Sequence, residues 1–505
     1  MPSQFIPHRF APAGRPRPGL RCFAAALLAV ALGSCGDAGE EDGLPVVVIG
    51  APDSIFEDGL RLSPGAQLVR DATASGIVAL NAEGEVVPAL GESWIVTEDG
   101  RSYIFRLRQL TWSDGEPLTA EDARASLLAT IRQLRGTSLG LDLRKIDDVR
   151  AMTARVIEIR LTGPMPEFLQ LLAQPELAIM HDGESIAPMR LEREGDLAIL
   201  RPTPPESIGL PEREPEELGK TVRLRALPGV QANEAFSQGK AAALLDGTVF
   251  TLPLADTGPL SRGTIRLDPA LGLFGMLVSN EQGFFAEVEN REALSMAIDR
   301  AALAEGFSLG GWQPSTRVVP VGLPGNPVSP GERWASLSID QRRDRARQQV
   351  VDWQRRTGQA PRVRLWVPEG PGSDVLVRAL SLDLATIGVE LRRVQFPQGA
   401  DLVMIDRVAR YPSARWFLNQ FNCELLRGPC SPEADELVTQ SLRPEPGEGS
   451  ATLLAEAEGA LIAREVYIPL GAPVRWSLVR SGLEGFSENS WSRHPIYALA
   501  GVEAW

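Results

Sequence analysis

The chain has 505 residues, 44% of them hydrophobic and 23% charged. That length exceeds one ordinary core, and the composition is that of soluble globular protein, so two or more lobes are expected. Residues 1–35 carry four Arg and no acid, which leaves 47 basic against 65 acidic residues in the remainder; that balance argues against nucleic acid and anionic lipid surfaces as main partners.

The first 35 residues read as a targeting segment. Basic residues precede the apolar run Phe23–Leu32. The run falls short of the ~20 residues a membrane-spanning helix needs, but suits a signal-peptide core. It ends in Leu32-Gly33-Ser34-Cys35, which resembles the bacterial lipoprotein cleavage box, with Cys35 as the lipid-attachment residue. Residues 36–43, acidic and glycine-rich, predict a flexible tether. No later segment reaches membrane-spanning length, so an anchored rather than integral protein is expected.

Val46–Ile49 predicts a short opening strand. Residues 79–90 read as a hairpin around Glu83-Gly84. Trp94 and Val96, the turn at Asp99-Gly100, and Tyr103, Phe105 and Leu107 predict a second hairpin. Asp114-Gly115 is another turn signal. Thr119 is placed to cap a helix, with Asp122 near its positive end and Ala123, Leu127, Leu128, Ile131 and Leu134 on one face. Residues 165–180 predict a helix followed by a strand. Residues 185–230, rich in Pro, Glu and Arg, predict loops and short strands. Residues 232–247 predict a helix leading into a small strand.

Residues 271–280 read as a strand buried on both faces. Asn290 is expected to cap a helix carrying Leu294, Ala297, Ile298 and Ala301 on one stripe. A strand at 363–370, a helix over 373–387, Gly388 as its stop and a strand at 389–396 predict a β-α-β unit with parallel strands. Residues 401–405 are a further strand. Residues 467–480 are extended and placed to return to the first lobe.

Enzymatic constellations are thin. Ser237-Gln238-Gly239-Lys240 matches a Ser-x-x-Lys pattern, but no Ser-Asp-Asn or Lys-Thr-Gly follows. No Gly-x-Ser-x-Gly elbow, phosphate-binding loop or His-Glu-x-x-His occurs. After the signal only His181 and His494 remain, leaving little for acid–base or zinc chemistry. Carboxylates are plentiful, but none is singled out by its surroundings, so the residues alone leave a carboxylate-only hydrolase open. Cys423 and Cys430, seven apart in an exported chain, are placed to close a small disulfide loop. No metal site and no cofactor are expected.

The stretch PALGESWIVTEDGRSYIFRLRQLTWSDGEPLTAEDARASL resembles the signature of the family 5 extracellular solute-binding proteins, the peptide and nickel receptors of bacterial ABC importers. Pro88, Leu90, Ser93, Trp94, Asp99-Gly100, Phe105, Leu107-Arg108, Asp114-Gly115, Pro117, Thr119-Ala120 and Asp122 carry the match. NREALSMAIDRAAL, from Asn290, is similar to the family's R-x-A-x-x-x-A-I-D-R helix. The elements SLDLATIGVEL, IPL and the short Cys423–Cys430 loop extend the likeness over nearly all of 44–505.

The resemblance implies an α/β fold of the two-lobed periplasmic-binding-protein type (class II, dipeptide- and oligopeptide-binding), with the ligand cleft between the lobes. The first lobe would take residues 44–272 and the return segment 475–505, the second lobe 273–474. The function implied is a non-enzymatic, lipid-anchored receptor in the periplasm or cell envelope. It would act as a monomer, capturing a solute, most simply a peptide, for a permease driven by a separate ATPase. A degenerate member acting as sensor or scaffold without transport is the alternative.

Peptide-binding members carry a motif resembling W-x-x-D-Y-P-D-P, whose first Asp pairs with the peptide α-ammonium. Here Arg407 stands at the Trp, Arg410 at the anchoring Asp and Ser413 at the next Asp, while Tyr411 and Pro412 remain. An Arg at the anchor would repel an ammonium and could fork onto a carboxylate or phosphate. Asp406, Arg407, Arg410, Tyr411 and Trp416 are therefore the candidate ligand-binding residues, with Asp406 a substitute for the lost acid. Phe417 is a further aromatic candidate. The competing reading leaves Arg407 and Arg410 on the surface with nothing bound.

Overall fold

A computed structural model describes residues 43–214, 217–255, 264–307, 312–323, 331–444 and 449–505. The targeting segment, Cys35 and all but the last residue of the tether lie outside the described residues. No helix among the described residues is long and apolar enough to cross a membrane.

Residues 44–505 form one compact unit built around two large sheets. The first has seven strands in the order 265–268, 475–479, 243–248, 44–49, 222–227, 197–202 and 189–194. Its centre is parallel, with Leu44–Ile49 between Val222–Leu227 and Ala243–Thr248. The second has five strands in the order 390–394, 362–366, 402–408, 272–278 and 467–471. The chain passes from the first sheet to the second between Asp268 and Gly272, and returns between Gly471 and Arg475. Both crossings are too short to hold an element of their own.

A third, four-stranded antiparallel sheet carries the hairpin Gly91–Val96/Ser102–Leu107 beside Val156–Leu161 and Ile146–Thr153. The helix Ala120–Gln133 packs on it. Thr119 and Asp122 close a reciprocal capping box, the Thr119 hydroxyl accepting from the Asp122 amide at 3.1 Å and the Asp122 carboxylate accepting from the Thr119 amide at 2.9 Å. Two orphan amide donors are thus satisfied at once.

Local signals hold across most of the chain. The hairpin Val78–Leu80/Val86–Pro88 pairs as expected. The strand Gly272–Val278 is buried at every position. Arg362–Trp366 and Glu390–Val394 run parallel around the helix Pro371–Ala385.

Three expectations are corrected. No strand follows the helix Phe168–Leu172; a single 3-10 turn at Pro175–Leu177 comes instead, because Pro175 breaks the ladder. Residues 185–230 hold longer strands than expected: Met189–Glu194 and Leu197–Pro202 form a regular hairpin closed by Gly195 at φ 63°. Asn290 does not cap its helix, which begins at Val288; Asn290 is fully buried and donates to the Phe284 carbonyl at 2.9 Å. That helix also stops at Ala297, because Asp299 starts a new one, its carboxylate accepting from the Ala302 amide at 3.2 Å.

The apolar interior follows the sheets only in part. One core belongs to the second sheet and two smaller ones to the faces of the first. The largest joins Phe105 and Ile157 of the third sheet, and Phe168 of the helix Phe168–Leu172, to Tyr411, Trp416, Phe417 and Leu461.

Candidate functional site

A cavity of about 440 Å³ opens where the two large sheets face each other. Leu245, Asp246 and Arg475 line it from the first sheet, and Asp406, Arg407 and Val408 from the second. A second, more open cavity of about 630 Å³ shares Asp246, Asp406, Arg407 and Arg475 with it. The second is the more apolar, with Phe250, Leu277, Trp366 and Met404 in its wall. The charged residues therefore form a partition between two adjoining chambers.

The strand Leu402–Val408 runs three residues beyond the expected 401–405, and this carries Asp406 and Arg407 to the partition. Asp406 accepts from Arg475 Nη1 at 2.7 Å, and both side chains are over nine-tenths buried. Burial pushes the Asp406 carboxyl up, against the pull of Arg475, and among the described residues its Oδ2 has no hydrogen-bond partner. This pair ties the second sheet to the first residue of the returning strand.

Arg407 is different. Its guanidinium donates to Gln420 Oε1 at 2.8 Å, and it makes no ion pair among the described residues. Burial, then the like charges of Arg427 and Arg410, lower its pKa to about 10. It stays charged at neutral pH with no counter-charge in contact, an arrangement that favours an incoming anion.

Arg410 has its fork filled by the protein itself. It meets Glu176 through Nη2–Oε1 at 2.7 Å and Nη1–Oε2 at 2.8 Å, and also donates to Gln174 Oε1 at 2.9 Å. Glu176 is 1% exposed. Burial opposes its charged form, yet the Arg410 charge and hydrogen bonds, with help from Arg493, hold its carboxyl below the usual range. Gln174 Oε1 also accepts from Arg493, whose other nitrogen meets Asp71 at 2.8 Å. Burial lifts the Asp71 carboxyl to about 6 despite Arg493.

Tyr411 is fully buried in the shared core and does not line either cavity. Trp416 borders the first cavity, 3% exposed, with its ring edge-on to Phe417. Phe417 is wholly within the core. Of the candidate residues, then, Asp406, Arg407, Arg410 and Trp416 come together at one cavity.

Asp246 was missed by sequence reasoning. The strand Ala243–Thr248 slips register between Leu244 and Gly247, and Asp246 sits in that bulge at φ 64°. A bulge re-aims a side chain, and a non-glycine residue held at positive φ is strained. Gly247 allows the distortion: a Cβ there would lie 2.2 Å from the Trp476 ring. Asp246 faces the partition with no hydrogen bond among the described residues. Burial raises its pKa to about 7, against Arg475 and with Asp406. The Asp246-Gly247 pair was the one signal available, and it reads as an ordinary turn. Arg427 was missed as well. It borders the second chamber from the loop between Cys423 and Cys430, whose sulfur atoms lie 2.13 Å apart.

Away from the cleft, Asp114 and Glu116, in the turn before the helix Ala120–Gln133, and His181, beyond the 3-10 turn Pro175–Leu177, bring ligand atoms within 4.8 Å of one another. The acids are exposed, and His181 stacks on Trp112.

Residues 85–207 match the family model described as bacterial extracellular solute-binding proteins, family 5 Middle. The chain is 34% identical over 156 residues to the probable deoxycholate-binding periplasmic protein YgiS of Escherichia coli, a match covering 25% of this chain and 29% of that protein. It is 23% identical over 482 residues to the periplasmic oligopeptide-binding protein OppA of the same species, covering 85% and 88% of the two chains. Haemophilus influenzae OppA, solved in complex with the peptide RPPGFSPFR, superposes with a TM-score of 0.76 at 17% identity, over 91% of this chain and 98% of that one.

Proposed function

We propose, from a chain that belongs to the family 5 extracellular solute-binding proteins, that this protein captures a small solute, most simply a peptide, between two lobes and hands it to a membrane permease. The family is one of binding proteins and not of enzymes. Residues 44–272 with 475–505 would form one lobe and 273–474 the other, and the two short crossings would be the hinge. The observation that carries the reading is the charged cavity walled by strands from both sheets. A groove of that kind buries a ligand on closure, and closure is what a permease would recognise.

The wider setting belongs to the same reading. Lipidation at Cys35 would tether a monomer in the periplasm or cell envelope, and a separate ATPase would drive uptake. The peptide is favoured by the likeness to OppA, which is named as oligopeptide-binding. A bridge between Cys423 and Cys430 closes a short loop, and replacing both by Ser is expected to lower stability by about 2–3 kcal/mol in urea unfolding. No change in the unfolding midpoint would mean the bridge does not form.

The second reading, a sensor or scaffold that does not transport, draws on Arg410. At the position where the family's acid would meet a ligand ammonium, the protein has paired its own Arg410 with Glu176. Thermal unfolding separates the two readings. A mixed pool of short peptides at a hundred times the dissociation constant would stabilise the receptor by about 2.7 kcal/mol. An unmoved melting temperature with peptides, acidic oligomers and metal chelates alike would leave the second reading standing.

A further inference from the structure

We infer that the cleft selects solutes carrying both a carboxylate and an ammonium, with Arg407 and Arg427 holding the first and Asp246 the second. This rests on the binding-protein reading and names the class of solute.

Every other charge at the first cavity is accounted for by contact. Asp406 is taken by Arg475, Arg410 by Glu176, and Arg493 by Asp71. His494 lies against Asp268 at 3.0 Å. Two groups of opposite sign are left over, Arg407 and Asp246, and both stand in the partition shared by the chambers. Arg407 costs free energy while its charge is unmatched in a partly desolvated site, and Asp246, raised to about 7 by burial, is only part-charged at neutral pH until a cation faces it. A zwitterion relieves both at once, whereas a simple anion or cation relieves one.

Arg427 doubles the positive side. It is the largest charge influence on Arg407, and it makes no ion pair among the described residues. One residue positions both guanidiniums: Gln420 accepts from Arg407 at its side-chain oxygen and from Arg427 Nη1 at its carbonyl, 3.2 Å away. The loop that carries Arg427 is pinned at both ends by the neighbouring sulfurs of Cys423 and Cys430. It is pressed on the second sheet at Gly428, where φ is 140° and a Cβ would lie 2.3 Å from the Val278 carbonyl. The loop thus presents a fixed donor to the chamber rather than a free side chain. The apolar wall of that chamber, with Phe250 and Trp366, suits an apolar side chain on the same solute. The smaller cavity, about 440 Å³, lies at the low end of ligand-site volumes and fits a short solute.

The test uses the full chain and three probes by calorimetry: the dipeptide alanyl-phenylalanine, its N-acetyl form and its C-terminal amide. Losing a charged hydrogen-bond partner at each end is expected to weaken binding at least about tenfold. Arg407→Gln and Arg427→Gln should each erase the preference for free carboxylate over amide and keep the preference for free amine over acetyl. Asp246→Asn should do the reverse. Circular dichroism confirms that each variant is folded, and equal binding of all three probes to the unmodified protein overturns the inference. So does discrimination that survives in the variants, or failure of the dipeptide to bind. If a peptide pool stabilises the protein while the dipeptide does not bind, the inference falls and the receptor reading stands. If neither acts, both fall.

Discussion

Replacing Glu176 by Gln is expected to lower the stability of the folded protein by about 3–5 kcal/mol, the cost of stranding a buried charge. Arg410 would keep its guanidinium in place, 24% exposed, with its principal counter-charge gone. Gln174 would remain as an acceptor, but a neutral one. The double variant Glu176→Leu with Arg410→Met should recover most of that loss, since an apolar pair of similar volume avoids desolvating two ions. The pH dependence has a defined sign. The Glu176 carboxyl is held below its unfolded value, so its contribution is complete above the unfolded pKa and disappears as pH falls through the folded one. Urea unfolding of the three proteins at neutral and acidic pH reads all of this. A single Gln variant as stable as the parent would remove the pair from any role in holding residues 170–180 against the strand end at 408–410.

A second large effect is expected at Asp142. This residue ends the helix Ser138–Asp142 and is 1% exposed. One oxygen accepts from Asn419 Nδ2 at 2.7 Å, and the Tyr411 hydroxyl also interacts with the carboxyl. Burial raises its pKa to about 7, with the Asn419 and Tyr411 hydrogen bonds and then Arg415 opposing. A carboxyl raised above its unfolded value near 3.9 destabilises the fold as it ionises: nothing is lost below that value, and stability falls as pH rises toward the folded pKa. Between pH 5 and 8 the loss from this one group is about 3 kcal/mol. Asp142→Asn should flatten the profile by that amount and leave the shares of Asp71 and Asp246, also raised, in place. Unfolding free energies measured at four pH values for both proteins give the difference directly; parallel curves would mean that Asp142 is ionised in the folded state at pH 5.

Both effects sit on contacts between segments far apart in the chain. Glu176 and Arg410 are separated by 234 residues, and Asp142 and Asn419 by 277. Sequence reading located Arg410 as a charge reversal but not the acid that receives it, because nothing local to Pro175-Glu176 marks it. The guanidinium does fork onto a carboxylate, and the carboxylate is internal. Arg407 and Arg410, three residues apart and alike in charge, have opposite fates: Arg410 is matched by Glu176, and Arg407 has no ion pair among the described residues.

Elements whose cause is local were legible. The Thr119 cap, the hairpin at Asp99-Gly100 and the helix stopped by Gly388 within the β-α-β unit depend on residues within a few positions of each other. Local signals failed where packing overruled them. Asn290 looks like a cap, but the Phe284 carbonyl claims its side chain inside the core. The apolar stripe through Ile298 and Ala301 suggests one helix, and Asp299 divides it.

The amino-acid order by itself determined most of the strands and helices, the family signature and the charge reversal at 410, since each is written in neighbouring residues. Only the folded chain decided which charges remain unmatched. Asp246 acquires its place at the cavity from a bulge, and Arg427 its position from a short pinned loop. Whether a buried charge is satisfied depends on what lies across the cleft, and that is set by two sheets meeting rather than by any segment alone.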